Sequence, residues 1–108
     1  MDRADMWRRR EAGMIEVRRL AGGDIPLTFE VVVRDGRGES RYEVTMASQS
    51  WERLTGKRHA PEDCIEAAFR FLLDREPKES ILQHFDVDVI ARYFPEFERE
   101  LPRYLAQS

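Results

Sequence analysis

The sequence predicts an α+β fold: an antiparallel β-hairpin or three-stranded meander, followed by several short helices packed on one face. Three observations predict it. Two runs of alternating apolar and polar residues flank an Asp-Gly turn, and a period of two marks half-buried strands. After Met46 the apolar residues recur at helical spacing instead. Prolines and glycines then cut that helical half into short pieces. At 108 residues the chain has the length of one domain, which buries roughly two-thirds of its unfolded surface.

Each element follows from its residues. Residues 1–13 hold only Met6 and Trp7 as sizeable apolar groups and form no stripe. They are expected to be a flexible charged leader to a single domain over residues 14–108, and Met14 is a second candidate start. In residues 14–20, Ile15 and Val17 oppose Glu16 and Arg18, which predicts a short strand ended by Gly22-Gly23. From Leu27 to Arg34, Leu27, Phe29, Val31 and Val33 alternate with Thr28, Glu30, Val32 and Arg34. Asp35-Gly36-Arg37-Gly38 tolerates the positive φ of a tight reversal. Tyr42, Val44 and Met46 then answer inward, with Arg41, Glu43 and Thr45 outward.

The helical half reads from its caps. Ser48 is expected to cap a helix that turns Trp51 and Leu54 inward and stops at Gly56. Pro61 opens the next, with Glu62 and Asp63 at its positive end. Its apolar stripe, which includes Cys64, Ile65, Phe69, Phe71 and Leu72, is wider than one face needs and marks the central packing element. Pro77 is expected to restart a short helix with Ile81 and Leu82. Asp86 caps another, in which Val89, Ile90, Tyr93 and Phe94 are apolar, and Pro95 stops it. A last turn through Phe97 and Leu101 is expected to end before Pro102.

Charge is unevenly spread. Residues 1–20 carry six arginines against four acids, whereas residues 61–108 carry six basic groups against eleven acids. An acidic helical half is poorly suited to a phosphate backbone. No apolar run approaches the roughly 20 residues of a membrane span, and the leader lacks the apolar core of a signal peptide. The single cysteine excludes an intramolecular disulfide and fits a reducing, cytoplasmic setting.

The stretch FRFLLDREPKESIL at 69–82, with FDVDVIARYFPEFE at 85–98, resembles a signature of a family of small uncharacterised bacterial proteins that also carry a charged hairpin upstream. The resemblance covers roughly residues 27–101. It implies a bacterial, cytoplasmic protein, and no activity or binding residues carry over from it.

Four constellations could carry chemistry. Cys64 with His59 is the one nucleophile-and-base pairing, but Glu62 and Asp63 disfavour a thiolate and Cys64 falls on the apolar stripe. His84, Asp86 and Asp88 have a ligand-like H-x-D-x-D spacing; helix capping by Asp86 and Asp88 explains the same carboxylates without a metal. Residues 79–94 resemble a helix-turn-helix, yet the second helix offers Asp86, Asp88 and one Arg92 to the bases. Arg3, Arg8, Arg9 and Arg10 could meet nucleic acid, but Asp2, Asp5 and Glu11 dilute them. The aromatics Tyr93, Phe94, Phe97 and Tyr104 read as core or dimer contacts rather than as a stacking platform. Phosphate-loop, nucleophile-elbow and CxxC patterns are absent.

These readings predict no enzyme, no metal, no cofactor and no membrane partner. They predict a small cytoplasmic interaction or adaptor module that self-associates as a homodimer or binds another protein, because a small sheet has unpaired edges. The alternative is a nucleic-acid-binding, antitoxin-like regulator that uses the Arg-rich leader or residues 79–94.

Overall fold

The computed structural model describes residues 14–106, so the expected leader lies outside the described residues. The fold is α+β. Strand β1 (Met14–Asp24), β2 (Leu27–Asp35) and β3 (Gly38–Met46) form an antiparallel meander. The β2–β3 hairpin closes on Asp35↔Gly38, where Gly38 takes φ 127° and the Asp35 carboxylate accepts the Arg37 N–H at 2.8 Å. Gly22-Gly23 does not end β1 as expected. The strand continues to Asp24, which pairs with Leu27, and its register slips between Arg19 and Asp24. Glycines suit such an irregularity, because a bulged backbone needs conformations that other residues resist.

A fourth strand completes the sheet in the order β1-β2-β3-β4. Strand β4 (His84–Asp86) runs parallel to β3, with Glu43↔His84, Val44↔Phe85 and Thr45↔Asp86 as partners. Helices α1 (Ser48–Thr55) and α2 (Pro61–Leu73) connect β3 to it; α3 (Ile90–Tyr93) and α4 (Phe97–Leu105) follow. The inward faces of β2 and β3, with Phe29, Val31, Val33, Tyr42, Val44 and Met46, are buried. Helix α2 packs between this sheet and α4, as its broad stripe requires: Phe69 meets Tyr42 at 5.1 Å and Phe71 meets Phe97 at 5.0 Å between ring centroids.

Several boundaries depart from expectation. Ser48 is the first residue of α1 rather than its cap; Ala47 takes that place and no side chain caps the helix. Gly56, at φ 63°, does close α1, and Pro61 does open α2. After Pro77 the chain makes only a 3₁₀ turn over Lys78–Ser80 and then becomes extended at Ile81, so the expected helix through Ile81 and Leu82 does not form. The helix-turn-helix reading of residues 79–94 falls with it, because its first helix is absent: a 3₁₀ turn over Lys78–Ser80 gives way to extended chain at Ile81. Asp86 caps as expected, through a bond from the Asp88 N–H, but to a 3₁₀ turn over Val87–Val89 that leads into α3. Helix α4 runs through Pro102 instead of stopping. Phe97, Leu101 and Leu105 recur every fourth residue and are all buried, so packing of that stripe outweighs the hydrogen bond that proline removes.

The other face of the sheet carries charge. Arg18–Glu30 and Arg34–Glu16 join β1 to β2, while Arg34–Glu39 and Arg41–Glu30 join β2 to β3. Val32, flanked in register by Glu16 and Arg41, is buried within this lattice.

Candidate interaction surface

Cys64, Asp86 and Asp88, singled out for chemistry, are drawn into structural roles. Cys64 lies in the first turn of α2 and is fully buried, and burial pushes its thiol up to about 12. A thiol held so far above neutrality is a poor nucleophile. The His59 backbone carbonyl accepts the Trp51 indole N–H at 2.8 Å, which ties the loop before α2 back onto α1.

His84, Asp86 and Asp88 separate. Strand β4 sets His84 beside Glu43 and Asp86 beside Thr45. The Asp86 carboxylate accepts the Thr45 hydroxyl at 2.7 Å and the Asp88 N–H at 3.0 Å. The Asp88 carboxylate turns to α1, where it accepts the Ser50 hydroxyl at 2.8 Å and the Arg53 guanidinium at 2.7 Å. No group of three or more potential metal ligands converges among the described residues.

Two surface depressions flank β4. One, of about 350 Å³, is apolar and lies among Leu72, Ile81, Leu82, Phe85, Ile90 and Tyr93. Leu82 and Tyr93 are 51% and 68% exposed, although the sequence assigns both to apolar helix faces. The other, of about 660 Å³, follows the first half of β3 and is polar. Beside it the buried Lys78 ammonium donates to Asp35 at 2.9 Å and to Glu79 at 2.7 Å, while the Tyr42 hydroxyl donates to the Lys78 carbonyl. Bonds to Glu79 and Asp35 raise the Lys78 pKa; the same contacts lower those of both carboxylates. This cluster locks the hairpin turn to the segment after α2.

The third feature is the free edge of the sheet. The Glu43 N–H bonds to the Gln83 carbonyl on the β4 side, so in an antiparallel ladder Tyr42 and Val44 direct their backbone groups toward β2. Their partners Val31 and Phe29 then bond to β3, leaving Glu30 and Val32 to bond to Arg18 and Glu16 of β1. Alternation therefore turns the N–H and C=O groups of Ile15, Val17 and Arg19 outward. Among the described residues no segment pairs with them. Ile15 and Val17 lean on the core from the helix face, while Glu16 and Arg18 stand exposed on the opposite face.

The alternation of residues 14–20 announces the two faces of β1, but nothing in it marks the strand as a sheet edge. That depends on where β4 pairs, which is decided by three residues far along the chain. No helix among the described residues is long and apolar enough to cross a membrane. None of the family models, curated proteins or solved structures compared with the chain matches it.

Proposed function

We propose that the chain is a small, non-catalytic, cytoplasmic interaction module that associates with a second copy of itself. One observation carries this reading: β1 offers a long strand whose outward backbone groups have no pairing strand among the described residues, while the opposite edge of the sheet is partly covered by β4. Such an edge is a template for pairing with another chain. The engagement of Cys64, Asp86 and Asp88 in burial or structural hydrogen bonds supports a scaffold role over chemistry. Light scattering on the eluting protein tests the reading. A mass twice the 12.8 kDa of the chain at micromolar concentration is expected. A single-chain mass at high micromolar concentration refutes self-association. Steeply salt-dependent binding to generic DNA would favour the nucleic-acid regulator instead.

A further inference from the structure

We infer that β1 pairs with β1 of a second copy, antiparallel and in one register, with the two-fold axis at Val17. This rests on the self-association proposed above and names its surface. Outward backbone groups belong to Ile15, Val17 and Arg19, so any β1–β1 ladder must bond through these residues. A two-fold axis at Val17 sets Val17 against the second copy's Val17 and Ile15 against its Arg19. It also sets Glu16 against the second copy's Arg18, and Arg18 against its Glu16.

Charge selects this register over its neighbours. An axis at Glu16 brings two carboxylates face to face, and an axis at Arg18 does the same with two guanidiniums. An axis at Arg19 sets Arg18 against Leu20 and Glu16 against Gly22, leaving both charges unmatched. An axis at Ile15 pairs only Met14, Ile15 and Glu16 among the described residues. Only the Val17 axis matches opposite charges throughout, and directly opposed like charges destabilise a sheet. The matched pairs fall at the closely spaced, non-hydrogen-bonded positions, where side chains approach best. Each partner also pairs within its own chain, Arg18 with Glu30 at 2.6 Å and Glu16 with Arg34 at 2.8 Å. Their side chains remain 71% and 58% exposed, so each can meet a second charge across the axis. The face parity is also right. The charged lattice of one copy continues into that of the other, and the helical layers stay on a common side.

Arg19 is the one charge on the helix face of this edge, a device that edge strands use against pairing. Here its guanidinium is held by Glu62 at 3.0 Å and lies over the Phe29 ring at 5.9 Å, directed back into its own chain. It does not project from the edge as a free charge.

The test combines charge reversal with cross-linking, each variant checked by circular dichroism. Glu16→Arg and Arg18→Glu are each expected to weaken dimerisation roughly tenfold to thirtyfold, since two symmetry-related pairs turn repulsive. Mixing the two variants is expected to restore a dimer, because every pair is then complementary. Val17→Cys is expected to form a disulfide-linked homodimer on oxidation, its Cα atoms about 5.5 Å apart. Ile15→Cys should link to Arg19→Cys rather than to itself. Leu82→Glu with Tyr93→Glu is expected to leave the dimer intact. If the protein is a monomer throughout, the register and the function proposed above both fall. A dimer that survives both reversals and gives no Val17→Cys link overturns the register alone, and so does a dimer abolished only by the Leu82 and Tyr93 changes.

Discussion

Phe71 is where α2 holds the carboxyl-terminal helices, and its removal gives the sharpest test of the packing. Its fully buried ring lies 5.8 Å from Phe94, 5.0 Å from Phe97 and 5.8 Å from Tyr104, all near edge-on, with the Arg75 guanidinium 3.7 Å from the ring centroid. Truncating a buried phenylalanine to alanine costs about 3–5 kcal/mol, transfer and cavity together. The three edge-on contacts, each worth roughly 0.5–1.5 kcal/mol beyond burial, place Phe71→Ala at the upper end. A loss of about 5 kcal/mol consumes the whole stability of a marginal domain and lowers Tm by roughly 20–40 °C at this chain length. Phe71→Leu keeps most of the volume and loses the ring, so about 1–2 kcal/mol is expected. Urea unfolding followed by far-ultraviolet circular dichroism reads both. A loss below about 2 kcal/mol for Phe71→Ala would refute the premise that α4 is docked through this ring. Combining Phe71→Leu with Arg75→Met should reveal a coupling of about 1 kcal/mol between ring and guanidinium.

Three further outcomes follow from the ion pairs, the thiol and the cap. Lys78→Met should lower Tm and change both limbs of the pH profile. The folded lysine pKa lies above its ordinary 10.5, so its contribution is complete below that pH and lost as pH rises through the folded value. Asp35 and Glu79 lie below their ordinary 3.8 and 4.5, so their contribution is present above those values and lost as acid titrates them. Thermal melts of the variant should therefore depend less on pH at both extremes; an unchanged profile contradicts the lock. Cys64 should resist iodoacetamide in the folded protein near neutral pH and react in urea, and mass spectrometry showing full labelling without denaturant would contradict its burial. Asp86→Ala removes a cap and the bond from Thr45, for an expected loss of about 1–2 kcal/mol in urea unfolding.

The hairpin and the central helix are legible in the sequence because their signals are local and repeated. Phe29, Val31 and Val33 alternate on one side of an Asp-Gly turn and Tyr42, Val44 and Met46 on the other, and the observed register sets Phe29 against Val44, Val31 against Tyr42 and Leu27 against Met46. The stripe of α2 exceeds one face, and the helix does contact two layers. What escaped has non-local causes. Strand β4 is three residues whose pairing partners lie some forty positions earlier; so short a segment carries no period to distinguish strand from turn. Pro102 reads as a stop unless Phe97, Leu101 and Leu105 are weighed together, and their burial is a tertiary event. The candidate interaction edge shows the same division. Glu16 and Arg18 are correctly faced from sequence, yet β1 becomes a sheet edge only because β4 joins the sheet beside β3.

The placement of β4 also bears on how the protein is made. A ribosome delivers the meander well before it delivers residues 84–86, so during synthesis, among the described residues, both flanks of the nascent sheet are uncovered. Any product released before Asp86 would keep that second flank bare. Premature termination should then yield an aggregating species rather than a smaller soluble one, and β4 acts as a clasp that shortens that exposed flank.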